Sequence, residues 1–458
     1  MGAQFPVIVI GSGPTGIGAA TRLSELGVPW IMLERESYAG GLAASFFSEG
    51  YTWDIGGHVI FSHYDAYDAF LLRSIPESHW LDHPRNAQVR FEQSWVPYPF
   101  QLNLQALPEP ARSACVDGMR RVQDVEVDTR NFAAYIDTHF GEGIAHNFMR
   151  PYNEKIWAHP LDRMGVGWIG ERVARVRRPG IDVNKSRAKQ SAWGPNNQFR
   201  FPMQGGTGEI WRNAANLLEH SCQRYQAEVT AVHPDSSQLE LAGGERLGYS
   251  AVISTMPLDV LAKMTLGAEG ESLASGLHYS SVQVVGLGLS GEVAPEITDT
   301  CWMYFPDPAV PFYRATVFSR YSPNNVPAGH WSLMLEISES NHRPVIHKGL
   351  IDRCIDACLE SGLIVDPLTI THRWQHRVKY GYPVPTLDRD NSVSLLRPRL
   401  EEKQIFSRGR FGSWMYEIGN MDHSYMQGRE VADRIILEKP EVTINHPDRI
   451  NQQGAGRQ

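Results

Sequence analysis

Residues 7–34 constrain the fold more than any other part of the sequence. The run FPVIVIG is continuous and rich in β-branched residues, as expected of a strand buried on both faces of a parallel sheet. The segment GSGPTGIGAATRLSELG has helical periodicity and a closing glycine, and VPWIMLER then resembles a second buried strand. This complete βαβ unit predicts an α/β fold built on a Rossmann-like domain.

The turn inside this unit has the spacing of a dinucleotide-binding loop. Gly11, Gly13 and Gly16 form G-x-G-x-x-G, which permits close approach of the backbone to a pyrophosphate. Glu34 ends the second strand, where an acid can bind a ribose hydroxyl. A tight turn without a ligand is the alternative, but the register of strand, helix and acid favours a dinucleotide. Gly41, in AGGLAAS, resembles the second phosphate-proximal element of FAD enzymes of the amine-oxidase type, which favours FAD over NAD.

The pattern of elements changes twice along the chain. Helical patterns such as NFAAYIDTHFGEGIAHNFM dominate one long central region, and strand-like runs such as SVQVVGLGLSG and FYRATVFS dominate a later one. We therefore predict a discontinuous FAD-binding domain (1–85, 200–265 and 400–440), a helical substrate domain (102–199), a mostly antiparallel sheet domain (86–101 and 266–399) and a polar, frayed tail (441–458).

Charge and cysteine content exclude several classes of protein. A net charge of -8 argues against a general nucleic-acid or anionic-membrane binder. The cysteines number 5 and are scattered, which argues against a disulfide framework and favours a reducing compartment. Cys354 and Cys358 are interpreted as buried apolar residues rather than metal ligands. No apolar stretch reaches the ~18–20 residues that span a bilayer, and no secretion signal is recognisable, so we expect a cytoplasmic protein.

Three further stretches contain side chains whose roles the residues alone do not decide. His58 follows two glycines in DIGGHVIF and can be a ligand-contacting or a structural histidine. WVPYPFQLN offers Tyr98 and Gln101 to a base, although aromatic packing in a Pro-rich turn is the favoured interpretation from composition alone. In MRPYNEKIWAHP, Asn153 and Trp157 share one helical face, where a tryptophan usually belongs to the core.

Together these stretches resemble the UDP-galactopyranose mutase family, most closely its eukaryotic members. The resemblance runs from residue 7 to about 437 and includes GGHVIFSHY, WVPYPFQ, MRPYNEKIWAHP, WIGERV, WGPNNQFRFP, YGYPVPTL and RGRFGSWMYEIGNMDHSYM in that order. It implies an isomerase that interconverts the pyranose and furanose forms of UDP-galactose. The family binds FAD non-covalently and works only with reduced flavin, because flavin N5 attacks the anomeric carbon. NADPH or NADH serves as the reductant.

The resemblance also assigns the substrate site. Arg172 in WIGERV and Arg314 in FYRAT match the family's two diphosphate-binding arginines, whose planar fork suits phosphate oxygens. An arginine is usually a solvated surface charge, but Arg314 lies in an apolar strand pattern, where an unpaired charge is costly. The other implied residues are Tyr304, Tyr382 and Tyr416 at the diphosphate, Phe61, Arg85, Tyr98, Phe100 and Gln101 at the nucleoside, and Asn153, Trp157, Asn196 and Trp302 at the sugar.

A second set of residues is expected beside the flavin. His58 matches a histidine whose loop responds to the flavin redox state, so we expect it to tune the flavin rather than to shuttle protons. Asp422 is predicted to cap a helix that starts near His423 and points its positive end at the flavin. The full cofactor set is Gly11, Gly13, Gly16, Glu34, Gly41, Gly57, His58, Arg410, Asn420, Asp422 and His423.

Other functions stay open. Glu154 and His159 stand where apolar residues are usual, and Met415 and Met421 replace polar residues, so the sugar can be a 6-deoxyhexose or arabinose derivative. An FAD oxidoreductase of the amine-oxidase or desaturase kind shares the N-terminal motifs but needs no diphosphate clamp. A non-catalytic nucleotide-sugar-binding protein is the third alternative, and the intact glycines argue against it. The oligomeric state is not predicted.

Overall fold

The computed structural model describes residues 5–174, 194 and 197–454. In chain order its strands are β1 (Val7–Ile10), β2 (Trp30–Leu33), β3 (Ser45–Ser48), β4 (Tyr51–Asp54), β5 (Trp80–Pro84), β6 (Ala87–Phe91), β7 (Ser94–Pro97), β8 (Gln198–Pro202), β9 (Gln223–Arg224), β10 (Val229–His233), β11 (Gln238–Leu241), β12 (Arg246–Gly248), β13 (Ala251–Ser254), β14 (His278–Ser290), β15 (Trp302–Tyr304), β16 (Arg314–Val317), β17 (His330–Glu339), β18 (Ile370–Val384) and β19 (Ile405–Ser407).

The helices follow the same order along the chain. They are α1 (Pro14–Glu25), α2 (Asp65–Ser74), α3 (Ala111–Arg121), α4 (Phe132–Ile144), α5 (Arg150–Trp157), α6 (Gly208–Asn216), α7 (Leu258–Leu273), α8 (Leu350–Glu360), α9 (Arg389–Glu401), α10 (Met421–Leu437), α11 (Val442–Asn445) and α12 (Pro447–Gly454). Cys354 and Cys358 are both buried in α8, as predicted. Within the described ranges, no helix has the length and apolar character needed to cross a membrane.

The N-terminal strand is the centre of a parallel sheet with the order β19-β13-β1-β2-β9. Val7–Ile10 pairs in register with Ala251–Ser254 on one side and with Trp30–Leu33 on the other. All of β1 is buried, which explains its continuous apolar sequence. Helices α1 and α10 cross closely here, since a Cβ on Gly428 would lie 2.0 Å from the carbonyl oxygen of Thr15. The first and last parts of the chain thus build one domain.

The second large sheet has the order β18-β14-β17-β16-β15-β6-β7. Its pairs are antiparallel except β15 with β6, so the predicted α/β fold with a mostly antiparallel sheet is confirmed. Aromatic rings of β4 pack against glycines of β14. A Cβ on Gly286 would lie 2.8 Å from Trp53, and one on Gly288 would lie 2.4 Å from Tyr51. This packing fixes β4, which leads directly to the loop of His58. The three domain boundaries stay predictions.

The predicted frayed tail is wrong for residues 441–454, which form α11 and α12. Glu441 is 1% exposed and accepts hydrogen bonds from Arg408 and Arg434. Ile444 and Ile450 are buried beside it. The segment is therefore anchored by Glu441, which pairs with the buried Arg408, and by its two isoleucines.

Candidate active site

Two glycine turns build a cradle of backbone at the carboxyl end of β1. Gly11 has φ +95°, a conformation that favours glycine. Gly13 is the N-cap residue of α1, and no side chain among the described residues caps this end of the helix. A Cβ on Gly16 would lie 1.8 Å from the Gly11 carbonyl oxygen. The N–H groups of the first turn therefore face a position suited to a pyrophosphate.

The second turn closes the cradle. The Gly40 N–H donates to the carbonyl of Ser12 at 3.0 Å, and a Cβ on Gly41 would lie 3.3 Å from the Cα of Gly13. Glu34, directly after β2, accepts from the N–H and the hydroxyl of Ser12, both at 2.8 Å. Its carboxylate retains lone pairs for a ribose hydroxyl, so that contact stays a prediction. The backbone of both turns fits the phosphates of a dinucleotide.

A buried ion pair lies between β16 and β17. Arg314 and Glu336 are directly opposite each other in the two strands. The Nε and Nη2 of Arg314 donate to the two oxygens of Glu336 at 2.6 and 2.7 Å. Burial alone would raise the pKa of Glu336, but the guanidinium outweighs it and lowers that pKa. The fork uses two of the five N–H donors of Arg314, which leaves donors for a phosphate.

The same carboxylate holds two further groups. Glu336 accepts from the N–H of Gly57 at 3.1 Å and from the hydroxyl of Tyr313 at 2.8 Å. The Tyr313 hydroxyl lies 3.2 Å from that of Tyr382. One buried carboxylate thus connects the predicted flavin loop with a predicted diphosphate tyrosine.

The imidazole of His58 is neutral in this environment. Burial is the main cause that lowers the pKa of His58 to about 4, while Glu336 opposes it and Arg314 and Arg410 add to it. Its Nδ1 is shielded from water and has no hydrogen-bond partner in the part of the chain that the structure describes. The role of His58 in tuning the flavin stays a prediction.

Arg172 lies on the other side of the tyrosines. Its Nη1 donates to Asn420 Oδ1 at 2.8 Å, and its Nη2 donates to the Glu417 carbonyl at 3.1 Å. Its guanidinium lies over the ring of Tyr416, with Cζ 5.2 Å from the centroid. The ring of Tyr382 is 6.0 Å from that of Tyr416. The predicted pair of arginines is therefore bridged by two of the predicted tyrosines.

A third arginine fills the space between these tyrosines. The Cζ of Arg410 is 5.1 Å from the ring centroid of Tyr382 and 5.5 Å from that of Tyr416. Arg410 also donates to the carbonyls of Gly381 and Gly419, at 3.2 Å. It joins β18 to the turn before α10 and adds positive charge to the site.

The start of α10 differs from the prediction. The helix begins at Met421 with Asn420 as the N-cap residue, so the prediction that Asp422 caps a helix starting near His423 is wrong. Asp422 turns instead toward the loop after β4, and His423 places its Nε2 3.0 Å from Asn451 Oδ1. The Nδ2 of Asn420 is shielded and has no partner in the described ranges. The helix N terminus and this amide remain the predicted flavin contacts.

His63, in the loop after β4, connects Asp422 to Glu171, the residue directly before Arg172. Its backbone N–H and its Nδ1 lie 3.1 and 2.6 Å from Asp422 Oδ2, and its Nε2 lies 3.3 Å from Glu171 Oε2. Burial would lower the pKa of His63, but the two carboxylates outweigh it and raise the pKa to about 9. The ring is therefore a buried cation at neutral pH. Because Glu171 precedes Arg172 directly, this cation fixes the Arg172 segment to α10.

Tyr98, a predicted nucleoside residue, lies beside one of the tyrosines predicted to bind the diphosphate. The ring of Tyr98 packs against that of Tyr304 at 4.8 Å, and the Cζ of Arg85 lies 5.6 Å from the Tyr98 centroid. The ring of Phe61 lies 5.7 Å from that of His63. Tyr98 is thus placed between a predicted diphosphate residue and a cation.

Gln101 and Phe100 differ in what they offer to a ligand. The Gln101 Nε2 donates to the Ala174 carbonyl at 2.8 Å, while its buried Oε1 has no partner among the residues described. An unpaired buried amide oxygen suits an N–H on the edge of a base. Phe100 is fully buried and stacks on Phe148 at 4.9 Å, so it supports the pocket from within the core.

The predicted sugar residues are buried around the same tyrosines. Asn153 donates from Nδ2 to the carbonyl one turn before it at 2.7 Å. Trp157 is 2% exposed, and its Nε1 has no partner within the described residues. Trp302 donates from Nε1 to the hydroxyl of Tyr304 at 2.7 Å. Asn196 lies outside the described residues.

Three residues of this site were not predicted: Glu336, Tyr313 and His63. Glu336 had a signal, because a carboxylate inside the apolar run HWSLMLEIS requires a cation, and Arg314 occupies a similar run. Tyr313 and His63 had none, since the sequence does not show which residues they meet.

Comparisons with known proteins identify the family. A family model described as flavin-containing amine oxidoreductase matches residues 14–436. A crystal structure of a reduced UDP-galactopyranose mutase is 42% identical and has a TM-score of 0.94, covering 98% of this chain and 99% of that chain. The chain belongs to the UDP-galactopyranose mutases of the flavin-containing amine oxidoreductase family. Membership of this family indicates that the chain binds FAD, and the glycine cradle remains its predicted site.

Other relatives of the mutase are more distant. Cyclohexylamine oxidase from Brevibacterium oxydans IH-35A shares the fold at 14% identity, with a TM-score of 0.68 over 95% of this chain and 99% of that one. Among curated proteins, prolycopene isomerase 1 from an Oncidium hybrid cultivar is 39% identical over 75 residues, which is 16% of this chain. The matched segment spans only 13% of that relative's length.

Proposed function

We propose that the protein interconverts UDP-galactopyranose and UDP-galactofuranose, using reduced FAD. The observation that carries the proposal is the pair Arg314 and Arg172, bridged by Tyr382 and Tyr416 beside the neutral His58. Two guanidinium groups and several hydroxyls suit a diphosphate, whereas an amine or hydrocarbon substrate presents no anion to them. This favours the mutase over the oxidoreductases that share the fold.

The leaving diphosphate has to be held while the sugar ring opens and closes. Arg314 is oriented by Glu336 before any ligand arrives, so its remaining donors need little reorganisation when the diphosphate departs. Arg172 approaches from the opposite side, where Tyr416 supports its guanidinium. The two cations stabilise the charge that develops on the β-phosphate and keep the nucleotide in place for its return.

Recognition of the base falls to the neighbouring pocket. Tyr98 offers an aromatic face, and the unpaired Oε1 of Gln101 accepts from the N–H of uracil. The amide nitrogen of Gln101 is already committed to Ala174, so the side chain cannot flip without losing that bond. This arrangement favours a base that offers a donor.

Reduced flavin, when bound, supplies the nucleophile for the anomeric carbon. The N terminus of α10 and the Asn420 amide stabilise negative charge on the flavin. The imidazole of His58 is neutral and brings no additional proton into the site. The reductant we propose is NADPH or NADH. The sugar we propose is galactose, and a 6-deoxyhexose or arabinose derivative is the alternative.

A product assay tests this function. The dithionite-reduced protein is incubated with UDP-galactofuranose, UDP-arabinofuranose and the corresponding GDP and TDP sugars, and the products are separated chromatographically. We expect UDP-galactopyranose from the first substrate only, and no turnover after the flavin is reoxidised. Net oxidation of a substrate with matching flavin reduction would support an oxidoreductase instead. Preference for UDP-arabinofuranose would correct the sugar but leave the reaction type standing.

A further inference from the structure

Lys155 is a buried cation that the proposed mechanism does not use. It lies in α5 and is 2% exposed. Its Nζ donates to the carbonyls of Phe305, Asp307 and Phe312, each at 2.7 Å. The three acceptors require the ammonium form, since a neutral amine has only two N–H donors. Burial, and after it the charge of Arg343, lower the pKa of Lys155 well below its usual value, whereas the three carbonyl acceptors favour the ammonium form.

The three carbonyls belong to one loop, which connects β15 with β16. Tyr304 and Arg314 are directly opposite each other at the ends of these strands, so the loop starts where the predicted diphosphate pair ends. The N–H of Phe305 donates to the Tyr313 carbonyl at 3.0 Å and closes the base of the loop. The ammonium therefore sets the position of the connection that holds the pair together.

The helix makes a second contact on the same side. Tyr152 is three residues before Lys155 and thus faces the same direction. Its ring packs edge-on against that of Tyr304 at 5.2 Å. The other face of α5 carries Asn153 and Trp157, the predicted sugar residues. One short helix therefore touches the predicted sugar pocket with one face and the predicted diphosphate pair with the other.

We propose that Lys155 is a positioning residue for the diphosphate: it holds the β15–β16 loop so that Tyr304 and Arg314 keep their places as the leaving group departs and returns. This inference rests on the proposed function, because it assigns the diphosphate to that pair. The role of Lys155 differs from ordinary stabilisation of the fold in one respect. Loss of the ammonium affects the diphosphate contacts directly and the nucleoside contacts less, through the ring contact between Tyr304 and Tyr98.

The test compares UDP with uridine as probes of the full-length FAD-loaded protein. Lys155→Met removes the three bonds and keeps the apolar stem, and Lys263→Met, at an exposed ion pair with Glu271, is the matched control. We expect the Kd for UDP to rise about tenfold or more in Lys155→Met, since hydrogen bonds to a charged group are lost. The Kd for uridine rises by a smaller factor, because Tyr98 contacts the ring of Tyr304. The flavin spectrum stays unchanged, and Lys155→Arg recovers part of the UDP affinity.

Each outcome decides between explanations. Equal losses for UDP and uridine, or no loss for either, would overturn the positioning role. If the wild-type protein does not bind UDP, the proposed function itself fails, which is a different result from a variant that binds UDP normally. Should Lys155→Met not fold, amide hydrogen exchange of the wild-type protein replaces it. Protection of the Phe305 N–H, which closes the base of the loop, is expected without ligand, and its fast exchange contradicts a loop held in place.

Discussion

Arg314 and Arg172 face the same predicted diphosphate, but the protein holds them in different ways. Arg314 is held by a buried carboxylate that contacts it with both oxygens. Arg172 donates to two neutral oxygens and packs on an aromatic face, with Glu171 at 4.0 Å from its Nε, and its segment is fixed indirectly through His63. Arg314 is therefore built into the sheet, whereas the position of Arg172 depends on contacts between loops and α10.

This difference has a functional consequence. A cation that is paired before the ligand arrives is already oriented, but part of its charge is neutralised by Glu336. Arg172, whose hydrogen bonds go to neutral oxygens and whose nearest carboxylate lies 4.0 Å away, keeps more of its charge for the phosphates and is less firmly fixed. The pair therefore combines one oriented donor with one strong electrostatic partner, which suits a group that leaves and returns.

The largest expected effect comes from removing the sheet-borne cation. Arg314→Met leaves Glu336 buried without its partner, so the free energy of unfolding falls by about 4 kcal/mol at neutral pH. The loss shrinks in acid, because Glu336 can then take up a proton. Urea unfolding measures both effects. The control is Arg320→Met, which removes an exposed arginine paired with Asp299 at 3.3 Å. A loss no larger than that of the control contradicts the buried pair.

A smaller effect comes from His63, which fixes the segment of Arg172. Its pKa in the folded protein is about 9, above its ordinary value, so its stabilisation is complete below pH ~6.5 and is lost as pH rises through 9. The charged and titratable groups around it are Asp422, Glu171 and His423. His63→Gln should lower the free energy of unfolding at pH 7 by about 2 kcal/mol and remove this alkaline slope.

Thermal or urea unfolding between pH 6 and 10 measures the slope. His446→Gln, at an exposed histidine, is the matched control and should keep the wild-type profile. The same alkaline slope in both variants would show that His63 is not the group responsible.

The smallest effect on stability is expected at Arg172. Arg172→Met loses bonds to two neutral oxygens, so the free energy of unfolding changes by only about 1 kcal/mol. UDP affinity should nevertheless fall by at least as much as in Arg314→Met, because Arg172 keeps its charge for the phosphates. Calorimetric titration with UDP measures this. If Arg172→Met destabilises the protein as strongly as Arg314→Met, the two arginines are held alike and the comparison fails.

The sequence predicted the features that depend on local patterns. The glycine turn and the buried strands are encoded in short stretches, and the antiparallel sheet follows from its alternating runs and turns. The family resemblance indicated the arginine pair, the tyrosines and the nucleoside residues, of which the structure brings Tyr382 and Tyr416 together around Arg410.

The contacts that sequence reasoning missed join residues far apart in the chain. Gly57 and Glu336 are separated by 279 positions, and His63 and Asp422 by 359. The same reason explains the wrong cap: Asp422 has the side chain of an N-cap, but the loop after β4 offers it a cation. Composition misled the prediction for the C-terminal segment, because it does not show that Glu441 meets Arg408.

In the proposed reaction, the arginine pair holds a diphosphate that separates from the sugar and returns. Positional isotope exchange tests it directly, using UDP-galactopyranose with ¹⁸O in the bridge between the anomeric carbon and the β-phosphate. With dithionite-reduced protein, we predict that ¹⁸O moves from the bridging into the non-bridging positions of the β-phosphate, and that the movement stops when the flavin is reoxidised. Ring interconversion with the label still in the bridge would contradict the account.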